Sequence, residues 1–289
     1  MLGAMACPLI MHKAGNLTPA RLSRQAISTG CLSGALRQRQ GIICSATRPK
    51  IGYIQDLTAW DVKMNNQLPQ RLLLVLLALL FCQWLLAWYW VPVDAAQGEA
   101  YRIIYLHVPA AFAAFLSAGV LLVASIMALR SKGEQWLQLS RASTEVGLIF
   151  TILTLATGSI WGKPIWGTWW TWDARLTTTF LLSLMYGGWL LLYGAIPQGP
   201  SRTRSCSILG LMIAADVPII YKSVTWWRTL HQPQTILRSG GSTMDPDMLK
   251  VLLAGIFIMA ATSLCMIFSR RETLLLEQEL EERSLGGMS

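Results

Sequence analysis

"LLLVLLALLFCQWLLAWYWVPV", residues 72–93, contains no Asp, Glu, Lys or Arg. A hydrocarbon layer about 30 Å thick takes roughly 20 apolar residues of helix to cross. This run meets that length, and further runs follow at 103–129, 146–162, 176–201 and 251–269, with a sixth at 205–221 whose only charge before its end is Asp216. Backbone in lipid must satisfy its own hydrogen bonds, and none of these runs alternates as a barrel strand does. The chain is therefore predicted to be an all-α integral membrane protein, a six-helix transmembrane bundle. Composition agrees, with 53% hydrophobic and 13% charged residues and a mean hydropathy of +0.44; such values belong to the membrane class.

The formal charge of +9 is unevenly spread. Residues 1–55 carry seven Lys or Arg and no acid, which leaves +2 for the rest of the chain and removes nucleic acid as a partner suggested by charge. Residues 1–63 form a basic leader that reads either as an organelle transit segment or, preferably, as an extension upstream of a start at Met64. Residues 64–269 form the membrane domain, and 270–289 an acidic, helix-prone and solvated tail. Lys and Arg near the helix ends favour one side, where Arg71, Arg130, Arg141, Arg202, Arg204 and Arg270 gather. That side is read as cytoplasmic or, in an organelle, as matrix, and it takes both termini. The six cysteines include no Cys-x-x-Cys, so neither a zinc or redox pair nor a covalent haem attachment is supported.

Crossing parity places three unusual segments on the opposite face: the approach to the second helix, the loop after the third and the loop after the fifth. "WGKPIWGTWWTWDAR", residues 161–175, holds five of the thirteen tryptophans. Aromatic belts account for tryptophan at a membrane surface. They do not require Trp161, Trp166, Trp169, Trp170 and Trp172 beside Gly162 and Gly167. Indoles separated by glycines suggest a shaped wall for a flat ligand. His107 and His231, the only histidines beyond the leader, lie on that same face. Two imidazoles do not complete a tetrahedral zinc site, whereas haem iron needs only axial partners. Haem is the leading expectation, with quinone or another flat amphiphile behind it. Lys163, Arg175, Arg228 and Arg102 are the candidate cations for its propionates, and Asp173 is read as fixing loop geometry.

"WGTWWTWDARLT" (166–177), preceded by "WGKPI", resembles the tryptophan-rich WWD signature of membrane proteins that handle haem in cytochrome c maturation. "YRIIYLHVPAAF" (101–112) and "SVTWWRTLHQ" (223–232) resemble the flanking segments of one branch, the CcmC or haem exporter protein C family. The resemblance implies that His107 and His231 are axial ligands of a non-covalent b-type haem held against Trp161–Asp173. It further implies a site facing the periplasm of a bacterial inner membrane, or the corresponding side of the mitochondrial inner membrane. Transfer of haem to the chaperone CcmE would follow, with CcmD and the ATP-binding cassette pair CcmA and CcmB as partners. No conventional catalytic site is implied.

Asp216 and Lys222 flank Pro218 within the fifth run. An acid at mid-bilayer costs about 2.5 to 3.5 kcal/mol on insertion scales, so Asp216 is read as a hydrogen-bonding residue between helices, near a break at Pro218. Two rivals stand beside the haem-transfer reading. A b-type cytochrome or quinone-reactive electron-transfer subunit would want histidines at membrane depth. A solute transporter would want repeat halves, which the sequence does not display.

Overall fold

The computed structural model describes residues 67–131, 134–231 and 244–286; the expected leader lies outside them. Each apolar run becomes a helix: α1 Gln67–Tyr89, α2 Ile104–Ser131, α3 Glu134–Trp166, α4 Ala174–Ala195, α5 Pro200–Trp226 and α6 Pro246–Gly286, with a 3-10 turn at Glu99–Ile103 leading into α2. All six are long and apolar enough to cross a membrane.

Local chemistry sets the ends. Asp173 caps α4, its Oδ1 accepting from the Leu176 N–H at 2.8 Å. Asp245 accepts from the Asp247 N–H at 2.9 Å, and Pro246 opens α6, where its fixed φ suits a first helical position and its missing N–H costs nothing. α3 stops at Gly167, whose φ of 77° suits glycine and whose N–H donates to the Lys163 carbonyl at 3.1 Å. The Trp-rich segment is thus divided: it is helical through Trp166, and only 167–173 is loop. Pro218 does not break α5, contrary to expectation, and the helix runs through it to Trp226. A proline withdraws one backbone donor, and packing against neighbouring helices maintains the rest.

Four helices form a ring in which α2 packs on α3, α3 on α4, α4 on α5 and α5 back on α2. The backbones of α2 and α4 stay farther apart across it, and the two helices meet through side chains, Ala118 and Leu121 of α2 clustering with Leu182 and Tyr186 of α4. α6 lies outside against α2 and α3, and α1 lies against α6. Small residues allow close approach. A Cβ added to Gly147 of α3 would sit 2.5 Å from Cζ of Tyr186 on α4, and that tyrosine hydroxyl donates to the Ala114 carbonyl of α2 at 3.1 Å. Several polar side chains of α3 are satisfied within the helix: Ser143, Thr144, Thr151 and Thr154 donate to carbonyls four residues back at 2.7–2.8 Å. Asp216 of α5, 5% exposed, has no partner at Oδ2 among the described residues, so the interhelical bond expected of it is not seen at that oxygen.

At one end of the bundle Glu145 of α3 pairs with Arg141 at 3.1 Å and with Arg270 of α6 at 2.6 Å. α6 continues past Arg270, and Leu274, 2% exposed, joins the cluster that contains Leu139. The segment read as solvated is packed over this stretch, because one face of the continuing helix is still apolar. At the opposite end three loop regions meet, and there the candidate site lies.

Candidate ligand-binding site

A cavity opens at that end into the α2–α5 ring, with about 1450 Å³ of empty space including its open part. Its inner wall includes Ala114, Phe115, Thr151 and Leu182; towards the loops it is lined by His107, Trp161, Trp166, Trp170, Arg175 and His231. The flat wall anticipated at the membrane surface is therefore the side of a cavity between helices.

His107 occupies the first turns of α2 and is buried. Its Nδ1 lies 3.0 Å from Oγ1 of Thr157 on α3. A Thr157 hydroxyl that donates to the Leu153 carbonyl at 2.7 Å, the nearer of two carbonyls in reach, presents its oxygen as the acceptor for His107 Nδ1–H. That tautomer leaves the lone pair on Nε2, the form a metal-ligating histidine takes when its other nitrogen is held by an acceptor. Gly158 makes room for the ring: a Cβ there would lie 3.1 Å from His107 Cε1. Trp161 stands edge-on to the imidazole at 5.8 Å, fixed by a 2.9 Å bond from its Nε1 to Gln97 Oε1 and by an edge contact with Tyr101.

His231 reaches the same cavity from beyond α5. Asp173, whose Oδ1 caps α4, uses Oδ2 to accept from the Thr229 hydroxyl at 2.6 Å. Thr229 in turn accepts from the His231 N–H at 3.0 Å. One carboxylate thus joins the Trp-rich loop to the second histidine. Arg175, in the first turn of α4, donates from Nη1 to His231 Nδ1 at 3.1 Å, and Trp166 lies 6.2 Å from the imidazole, ring centre to ring centre.

The anticipated site residues separate into three groups. His107, His231, Trp161, Trp166, Trp170 and Arg175 line the cavity. Trp169 and Trp172, 58% and 75% exposed, do not line it; past the turn at Gly167 only Trp170 of the three indoles reaches the cavity, and Trp172 packs edge-on to Trp170 and Phe180. Gly162, Gly167 and Asp173 shape the loop: a Cβ at Gly162 would crowd the Thr168 carbonyl at 3.2 Å. Of the other anticipated cations, Arg102 donates to the carbonyls of Ala87 and Val91 and pairs with Glu99. Lys163 donates to the Gly167 carbonyl at 3.1 Å, and Arg228 lines a separate outer pocket with Trp172 and Thr229. Among the described residues no group of three or more His, Cys, Asp or Glu gathers as a metal site. Thr157, Gln97 and Thr229 were not anticipated. Thr157 was readable, since it precedes Trp161 by four residues and so shares its face of α3.

Comparison with known proteins gives a consistent result. The family profile described as "Heme exporter protein C" (CcmC) matches residues 57–285. A heme exporter protein C of Escherichia coli K12 is 38% identical over 196 residues, covering 68% of this chain and 79% of that protein. One from Bradyrhizobium diazoefficiens is 41% identical over 162 residues, covering 56% of this chain and 62% of its own length. A ccmC-like mitochondrial cytochrome c biosynthesis protein of Marchantia polymorpha is 37% identical over 187 residues, covering 64% of this chain and 79% of that protein. On the extent of the profile match and the length of these alignments, the chain belongs to the heme exporter protein C family.

Proposed function

We infer that this chain is a multi-pass inner-membrane protein that binds haem and transfers it during cytochrome c maturation. One observation carries the reading: two imidazoles and one guanidinium from three separate elements converge on one largely apolar cavity. A porphyrin supplies four nitrogens to iron and needs only axial ligands from protein, which His107 and His231 would provide. The indoles of Trp161, Trp166 and Trp170 offer flat apolar area, and Arg175 offers the cation for a propionate. The residues present fit a non-covalent b-type haem as cargo. The protein holds and passes on its ligand and performs no bond-making chemistry on it.

In this reading the cavity end faces the periplasm, or its mitochondrial equivalent, and the Glu145–Arg270 end with both termini faces the cytoplasm or matrix. Trp169 and Trp172, exposed at the rim, would meet the haem chaperone CcmE, with CcmD, CcmA and CcmB completing the assembly. The test is optical. Purified protein with haem should show a bis-imidazole spectrum, and H107A and H231A should each lose it; an unchanged spectrum in both overturns the ligand assignment.

The burial of His107 favours one alternative, an electron-transfer b-type cytochrome with permanently held haem. A transfer protein should give up haem to apo-chaperone on mixing, whereas such a cytochrome should retain it.

A further inference from the structure

Arg175 makes an unusual contact for a residue expected to greet a carboxylate. Its Nη1 is 3.1 Å from Nδ1 of His231, its Nη2 reaches the Tyr221 carbonyl only at 3.5 Å, and its buried Nε has no acceptor among the described residues. A guanidinium has donors only. Nδ1 of His231 is therefore the accepting nitrogen, and the neutral ring carries its proton on Nε2. Iron could take His231 through Nδ1 only once Arg175 has moved off it. Ligation through Nε2 requires the proton to reside on Nδ1, which would then face an Arg175 N–H, so the arginine must again withdraw. The two histidines are thus unequal: His107 has its lone pair set by Thr157, and His231 has its lone pair covered.

Resting on the haem reading above, we propose that Arg175 is a carboxylate-operated latch on the second ligand. It covers His231 while the cavity lacks an anion and uncovers it when a porphyrin propionate takes the guanidinium. The energetic direction follows from the bonding. A carboxylate takes arginine in a forked pair of bonds between opposite charges, whereas a neutral imidazole nitrogen accepts a single bond with no opposing charge, and Arg175 enters the exchange with its present bonding incomplete. Asp173, Thr229 and the 227–231 backbone hold His231 near the cavity meanwhile. The latch makes two-point ligation conditional on the ligand's acidic edge, so an esterified iron porphyrin would engage His107 alone. Withdrawal of a propionate by a partner would return Arg175 to His231 and lower the iron's coordination, a route to release.

The test uses the full-length protein in detergent with two probes, iron protoporphyrin IX and its dimethyl ester, which lacks the carboxylates. With wild type, the acid should give a bis-imidazole spectrum, and the diester a mono-imidazole spectrum with at least about tenfold weaker binding. The deciding variant is R175M. If Arg175 is a latch, R175M should bind the diester about tenfold more tightly than wild type does and with a bis-imidazole spectrum. If Arg175 is only a carboxylate anchor, R175M and wild type will treat the diester alike, and the proposal falls. A second variant covers failure of R175M to fold: H231A should weaken the acid while leaving diester affinity within about twofold. Equal loss for both probes overturns the latch and leaves the haem reading standing. Absence of any imidazole-ligated spectrum in wild type with either porphyrin overturns the haem reading itself.

Discussion

Thr157 shows how much one hydroxyl decides. It hands its own proton to the backbone and so fixes which nitrogen of His107 keeps a lone pair. Replacing it with valine, nearly the same shape, should leave the helix intact and lower haem affinity by about ten- to a hundredfold, the usual effect of losing a partner behind a metal ligand. T157S should restore most of it. Equilibrium haem titration of the two variants checks the assignment, and equal affinity for T157V and wild type would remove Thr157 from the site. At this scale the sequence was partly legible. Both histidines and the crowded indoles announce themselves, and Thr157 lies on the face that Trp161 defines. The Asp173–Thr229 bond was not legible, because it joins residues 56 apart through a fold that must first exist. The contact between Arg175 and His231 was hidden for the same reason.

Helices were the most readable level, since a charge-free run of bilayer length has one workable structure. The boundary of α3 was less so. Nothing local distinguishes Trp166, which ends the helix facing the cavity, from Trp169, which stands outside it; only the left-handed turn at Gly167 separates them. Contact between helices depends on residues that look unremarkable in sequence. At Gly147 an added methyl would meet Cζ and the hydroxyl of Tyr186 at 2.5 and 2.7 Å. G147A should therefore lower stability by about 1 to 3 kcal/mol through overpacking. Trimming the ring with Y186L in the same chain should recover part of that loss, giving a double mutant more stable than additivity allows. Thermal unfolding in detergent measures the cycle, and strictly additive effects would show that the two residues do not meet.

On the scale of the molecule, the two ends differ in chemistry: aromatic rings, two imidazoles and a cavity at one, a carboxylate–guanidinium network at the other. If these ends face opposite compartments, single cysteines introduced at Trp172 and Arg204 in a cysteine-free background should react with an impermeant maleimide from opposite sides of the membrane. Labelling of both from one side would refute the topology. The ring of α2–α5 was beyond the reach of sequence reading, because helix order along a chain does not dictate which helices approach closely and which meet only through long side chains. That ring has a genetic consequence. Apart from Met244 and Leu252, every described residue lining the cavity falls between Tyr101 and His231. The site is inheritable as a cassette: a recombination that carries that stretch into another membrane protein carries most of the described cavity wall with it, and α6 must then find an equivalent to pack on α2 and α3.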